Sequence, residues 1–420
     1  MPNLIKGEIN SLPINLSLTD VENRFSDNKE TDMEFVIDSL PLSIISPFVP
    51  SISYLKGIGR GKLLVGGTLP DNLKFDGIVR FDNTSFLVDA TNVGYRARGG
   101  LILKENKIFL EDVFVYNQPD DLSNGRAKVT GVINLEKMDI ESFDLGIKTD
   151  RFLVMNDETQ KAKPDLYGRT IIATETDSLR FYGSFTKPKL EGYVAIESAD
   201  LKMPDEEEVQ LVRSKFIYKR VGDVITASYG RADSVKVKKT KKAQEVTESL
   251  MDLMDIDLDV EFRGRTLVDM QINQFLRSSV IIGTPINLRS IRYVKRPYSK
   301  EAKLYGKIVL KEGSKLSFFK TFDITGDINF PTGNISDPTL DLKAEYQGTT
   351  AEYKKYTVEI FVTGTKQNPN LRFEYEISGE TGIGDSEQKL REIIALLLTG
   401  RTSDQEPQGN GSSQDFNIQT

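Results

Sequence analysis

Apolar and polar residues alternate one by one along most of this chain, and that period of two constrains the fold more than any other feature. In DIDLDVEF, Ile256, Leu258, Val260 and Phe262 fall on one face and Asp257, Asp259 and Glu261 on the other. FDITGDINF does the same with Phe322, Ile324, Ile328 and Phe330, and LDLKAEY with Leu340, Leu342, Ala344 and Tyr346. In LRFEYEI, Leu371, Phe373, Tyr375 and Ile377 stand opposite Arg372, Glu374 and Glu376; YTVEIFV, FDLGI around Leu145 and MEFVI around Phe35 repeat the pattern. Successive side chains of a strand point to opposite faces, so each segment has one apolar and one wet face. This is the signature of antiparallel strands, since buried parallel strands read as unbroken apolar runs.

The connections carry turn chemistry: Pro70-Asp71-Asn72, Lys104-Glu105-Asn106, Lys187-Pro188-Lys189, Lys311-Glu312-Gly313 and Asn368-Pro369-Asn370. Such clusters between alternating segments read as hairpin turns. A looser unit recurs in GKLLVGGTLPDNLKFDGIVRF and FYGSFTKPKLEGYVAIES: glycine, strand, turn with proline, second strand with glycine. A recurring hairpin predicts strands stacked along an axis.

Two segments leave the strand pattern. KAQEVTESLMDLM spaces Val246, Leu250, Leu253 and Met254 as a short amphipathic helix. DSEQKLREIIALLLTGR is a stronger helix: Asp385 or Ser386 caps it, Leu390, Ile393, Ile394, Leu397 and Leu398 form its apolar stripe, and Gly400 stops it. The tail beyond Ser403 is rich in Gln, Gly and Ser and reads as disordered.

Composition removes whole classes of chemistry. The 420 residues include no Cys, no His and no Trp. That excludes thiolate chemistry, Cys or His zinc sites and the Ser-His-Asp triad. A formal charge of -7 argues against nucleic acid as a partner. The densest apolar run, Ile393 to Leu398, is far short of the roughly 20 residues a membrane span needs. MPNLIKGEIN has neither the basic nor the apolar region of a signal peptide, so no anchor or leader is legible.

The short motifs have bland explanations. Ser53-Tyr54-Leu55-Lys56 fits S-x-x-K without the partner motifs of penicillin-recognising enzymes. GIGRGK lacks the spacing of a phosphate loop. Asp255, Asp257 and Asp259 begin like a calcium loop, but Val260 stands where glycine is required. VKVKKTKKA reads as a solvated basic edge before a helix, with an anionic headgroup surface as the sharper option. No catalytic residue, metal ligand or cofactor emerges; a carboxylate hydrolase is the remote alternative, because Asp and Glu are plentiful. The apolar faces leave two architectures open. They meet one another in a sandwich or barrel, or they line the groove of one curved sheet, which needs a ligand to be stable in water.

Family resemblance favours the second. LPLSIISPFVPSISYLKGIGRGKLLVGGTL and FDGIVRFDNTSFLVDATNVGYRARGGLILKENKIFLEDVFV resemble the repeats of the TamB family, in a style similar to its Bacteroidota branch. FDLGIKTDRFLVMN and LYGRTIIATETDSLRFYGSFTKPKLEGYVAIESADLKMP continue them. IDLDVEF, KLYGKIVLKEGSKLSFFKTFDITGDINFPTGNISDPTLDLKAEY, YTVEIFVTGTKQNPNLRF and the closing helix with LLLTGR resemble that family's C-terminal domain. The resemblance covers about Leu40 to Arg401. It implies a mainly β chain: a long, curved, antiparallel sheet forming an open gutter, with a short C-terminal amphipathic helix. The expected division is a repetitive gutter over 1–240, a short helix over 241–254, the C-terminal β domain over 255–401 with its capping helix at 386–399, and a tail over 402–420.

The resemblance also implies a role. The family belongs to the AsmA-like, bridge-like lipid transfer proteins, is anchored in the inner membrane of Gram-negative bacteria, spans the periplasm and pairs with an Omp85-type outer-membrane barrel. The expected function is non-catalytic carriage of phospholipid acyl chains between the membranes along an apolar groove. The alternation nominates Phe143, Leu145, Ile147, Ile256, Leu258, Val260, Phe322, Ile324, Ile328, Leu342, Val358 and Ile360 as its lining. A β-bulge would turn such a row to the other face. The alternative is a scaffold that binds unfolded outer-membrane proteins by strand addition at a sheet edge.

Overall fold

The computed structural model describes residues 5–15, 30–48, 51–69, 72–118, 124–136, 139–164, 166–174, 179–204, 218–221, 224–227, 250–271, 277–283, 291–299, 301–335 and 337–402. Alternation makes the first part of the chain a simple meander. β1 (Ile5–Ser11), β2 (Asp32–Pro41), β3 (Ile52–Thr68), β4 (Asn72–Val88), β5 (Val93–Lys104), β6 (Lys107–Asn117), β7 (Arg126–Glu136) and β8 (Asp139–Asp150) each pair antiparallel with the next. Then come β9 (Phe152–Met155), β10 (Tyr167–Ala173), β11 (Leu179–Ser184) and the 17-residue β12 (Lys187–Met203). β11 joins β8 to the first half of β12, while β10 lies between β9 and its second half.

Beyond β12 the chain forms a separate hairpin, β13 (Tyr218–Val221) with β14 (Val224–Ala227). It then returns to the free edge of β12 as β15 (Asp255–Phe262) and β16 (Thr266–Gln271). Both run parallel to β12, the parallel exception in an otherwise antiparallel sheet among the described strand pairs. The cause is the long connection between 204 and 254, because only a crossover of a dozen residues or more can bring a strand back in the same direction. Single-segment alternation carries no sign of direction. β17 (Arg277–Gly283) and β18 (Ile291–Lys295) lie on β16 and β15. β19 (Lys303–Leu310) and β20 (Lys315–Phe318) follow, and β21 (Lys320–Phe330) takes them both. β22 (Thr339–Thr349), β23 (Lys355–Thr365), β24 (Pro369–Ile377) and β25 (Glu380–Thr381) close the series, and helix α1 (Ser386–Thr399) follows. All but the β13–β14 hairpin belong to one sheet of 23 strands.

The expected helix over 241–254 appears as one helical turn, Leu250–Leu253, followed by buried Met254; 241–249, the basic run before it and the tail from 403 lie outside the described residues. The sheet runs without interruption from β12 to β15, across the expected division at 255.

Two features are of the kind that bends a sheet. Glycines stand within the apolar rows, where neighbouring backbones come too close for a side chain. Gly131, between Val129 and Ile133 on the apolar face of β7, has φ +130 and faces Leu145; a Cβ there would lie 2.1 Å from the Asp144 carbonyl oxygen. Gly326, between Ile324 and Ile328 on β21, has φ +126 and faces Leu342, with the same 2.1 Å to the Asp341 oxygen. Glycine kinks of this kind give a sheet its curvature. The second feature is a line of bulges. Register shifts at Lys56/Ile58, Phe81/Thr84, Arg98/Gly100 and Leu110/Val113 cross four consecutive strands and crease the sheet.

Gly326→Ala is expected to destabilise the fold by about 1–3 kcal/mol, the cost of forcing a side chain into that backbone geometry. Gly66→Ala, where the nearest atom to a new Cβ is 3.8 Å away, is the matched control and leaves the melting temperature unchanged. Thermal unfolding of the two variants beside the parent checks this; equal melting temperatures would show that the close approach at Gly326 does not matter.

Candidate functional site: an apolar sheet face

Cross-strand register turns the separate apolar faces into continuous rows. One begins at Gly61 and passes through Val79, Leu101, Leu110, Gly131, Leu145, Phe181 and Leu190 to Ile256, each directly opposite the next. It crosses nine strands, and every position is aliphatic, aromatic or glycine. A neighbouring row carries Gly192, Leu258, Tyr293 and Leu304 onward across β12, β15, β18 and β19. A third links Ile324, Ala344, Ile360 and Phe373 across β21 to β24. With side chains about 5 Å apart across strands, such rows form an apolar floor perpendicular to the strands.

The twelve nominated residues do not share one environment. Leu145, Ile147, Leu258, Val260, Ile328 and Leu342 are half-buried. Phe143 is buried against Phe181 and Phe185, with ring centroids 4.6 and 5.5 Å away. Ile256, Phe322, Ile324, Val358 and Ile360 are also buried, the last four in one large cluster with α1.

That helix is built as its ends dictate. The Asp385 side chain accepts from the Gln388 backbone N–H while the Gln388 side chain accepts from Asp385 N–H, a reciprocal cap. Gly400, at φ +69, ends it with its N–H on the Leu396 carbonyl. Ile393, Leu396 and Leu397 are fully buried, Leu390 and Ile394 half-buried, and Leu398 is 60% exposed. The expected stripe is corrected here: Leu398 stands about 140° around the helix from Ile393, whereas Leu396 and Leu397 follow it at i+3 and i+4. Three buried side chains of this size contribute about 5–9 kcal/mol of gross burial. The Tyr356 hydroxyl donates to the Leu396 carbonyl at 3.2 Å. Burial first, and neighbouring Tyr346 second, push the Tyr356 hydroxyl pKa up to about 12, so it stays a donor.

Over the ends of β5 to β7 the apolar face is covered through a contact that sequence reading missed. The Asn117 carboxamide donates to the Leu153 carbonyl and accepts from its N–H, both at 3.0 Å. It thus replaces a backbone partner for β9, and the Tyr95 hydroxyl donates to the same carbonyl at 3.0 Å. β9 is thereby laid over the ends of β5 to β7, where Val93, Tyr95, Ala127, Phe152, Leu153 and Ile171 form a second core. Tyr95 and Phe152 stack there with centroids 5.1 Å apart. The only available signal was an asparagine ending the apolar run FVYN, and nothing in the spacing pointed from it to Leu153.

The wet face carries charge pairs. Arg180 grips Asp144 with two bonds of 2.9 and 2.8 Å, and Arg292 grips Asp257 with two of 2.8 and 2.7 Å. The guanidinium bonds hold both carboxyls below their ordinary range. Asp255 is bonded by Arg296 at 2.7 Å, so the calcium-loop look of Asp255 and Asp257 is a strand exterior in ion pairs. Among the described residues no Asp or Glu is buried, and no helix is long and apolar enough to cross a membrane.

The family model for the TamB C-terminal domain matches residues 118–419. The chain belongs to the TamB family. It is thus a member of an envelope protein family connected with translocation and assembly. The matched span takes in the second half of the nine-strand row, the parallel junction at β12 and α1. No curated protein and no solved structure matches the chain.

Leu397→Ala is expected to cost about 2–5 kcal/mol as a buried leucine cavity. Leu398→Gln, which keeps helix propensity and adds no charge in the last turn, should stay within about 0.5 kcal/mol of the parent. Denaturant unfolding of both variants reads the difference; a large loss from Leu398→Gln would contradict the orientation of α1.

Proposed function

We propose that this TamB-family chain is a section of a lipid conduit. Acyl chains of phospholipids lie along the apolar face, and their headgroups stay in water. The observation that carries this reading is the unbroken apolar row from Gly61 to Ile256, with half-buried Leu145 and Phe181 in it. Each acyl CH₂ removed from water yields about 0.8 kcal/mol, enough to hold a chain without a shaped pocket. A floor of similar polarity from strand to strand lets the chain slide with little change in energy, so no catalytic residue enters the mechanism. On this reading the protein is not an enzyme, works in the periplasm between the two membranes and delivers to, or receives from, an Omp85-type barrel.

One observation favours a second reading. β1 pairs only with β2 among the described residues and exposes Ile5 and Ile9. A free strand edge is where an unfolded outer-membrane protein would add a strand by backbone hydrogen bonds. That mode uses the edge and is indifferent to the floor.

Native mass spectrometry of the purified protein separates the two. Phospholipid is expected to copurify with the parent and to be lost from Leu145→Asp and Leu258→Asp, which place a charge on the floor at half-exposed positions. Absence of lipid from the parent, with a strand-forming barrel peptide bound equally by parent and variants, would overturn the conduit in favour of the scaffold.

A further inference from the structure

The last section of the apolar face already has an occupant. α1 packs Ile393, Leu396 and Leu397 into one cluster with Phe322, Ala344 and Val358, all fully buried. Upstream, the same kind of floor is only half-buried at Leu145 and Leu258. The helix offers this floor what an acylglycerol would offer: an aliphatic stripe, and one carbonyl oxygen, that of Leu396, accepting from the Tyr356 hydroxyl. Its attachments suit an element that can leave. The segment before it contains Gly379 at φ +89, Gly382 and Gly384 at φ +130. At its far end, the Ala351 N–H donates to the Gly400 carbonyl at 2.8 Å.

We propose that α1 is a stand-in for cargo, and that the section beneath it is a second acyl-binding section. The helix fills this section when it is empty and swings out when an acyl chain arrives, whose ester carbonyl then takes the Tyr356 hydroxyl. The proposal rests on the conduit reading and adds where the conduit is gated. Exchange keeps the balance of burial near zero, because aliphatic surface replaces aliphatic surface and one carbonyl replaces another.

The test locks the helix. Ala351→Cys with Arg401→Cys introduces two thiols into a chain that has none. The Ala351 N–H bonds the Gly400 carbonyl at 2.8 Å, so residue 351 lies against the 400–401 peptide, and loss of free thiol on oxidation reports that the bridge has formed. In this background p-benzoylphenylalanine replaces Tyr346, beside Tyr356, or Phe181 in the open row. Each protein is irradiated with phosphatidylethanolamine–phosphatidylglycerol vesicles, oxidised and reduced, and the adducts are weighed. The reduced sample is the folding control for the oxidised one. Lipid adducts at 181 in both states, with adducts at 346 only after reduction, are the expected result. Equal adducts at 346 in both states, or adducts at 181 and never at 346, would overturn the stand-in role and leave the conduit standing. No adduct at 181 in either state would remove the conduit, and this inference with it.

Discussion

A sheet with one apolar face must cover that face, and among the described residues nothing but the helix α1 and short segments such as β9 is packed against it. Much of the structure follows from that constraint. Burial of apolar surface is the dominant favourable term in folding, and a flat 23-stranded sheet would leave half of its side chains in water. Within the apolar rows some neighbouring backbones approach too closely for a side chain. Gly131 opposite Leu145 and Gly326 opposite Leu342 stand at such places, where a Cβ would run into the Asp144 or Asp341 carbonyl. A glycine in a strand ordinarily weakens it. Here it is the condition for that close approach.

The outer face obeys different physics. There the side chains diverge, water is plentiful, and charge pairs such as Asp144–Arg180 and Asp257–Arg292 are substantially exposed. Exposed pairs contribute roughly 0–1 kcal/mol each, so they add little to stability. Their effect is on register. A slip by one residue would turn a carboxylate onto the floor and an isoleucine into water, and bidentate arginine bonds across neighbouring strands penalise that slip.

Much of this could be read from residues alone, and the reasons for the exceptions are physical. Alternation in DIDLDVEF and FDITGDINF is local, and it correctly placed strands with one apolar face. The ends of α1 were legible because Asp385 and Gly400 cap by local bonding. Three things were not legible. Strand direction at β15 depends on where the chain has been, and so on the connection through 204–254. The bulges at Asn83 and Asp112 depend on backbone angles of φ +50 and +47, which these residue types tolerate better than most but which many other Asn and Asp residues in the chain do not adopt. The Asn117–Leu153 lock joins residues 36 apart through a side chain that mimics a backbone group. The twelve nominated lining residues were chosen by parity alone, and parity cannot tell an open floor at Leu258 from a covered one at Val358.

That last distinction matters for how such a sheet ends. A series of paired strands has a first and a last edge, and an unpaired edge invites further pairing. At the last edge β25 pairs with only Glu376 and Ile377 of β24, so most of β24 is left uncovered by strand. The chain answers with a helix instead of another strand. α1 satisfies its own backbone internally, which a further strand could not, and its stripe covers the apolar face of the last described strands. A helix can therefore cover apolar surface without offering a new strand edge. Being connected to β25 through glycines and to the β22–β23 turn through a backbone bond, it shields that section as a separate piece rather than as part of the ladder. The sheet can keep its registers whether or not the helix is seated, because no ladder hydrogen bond passes through it.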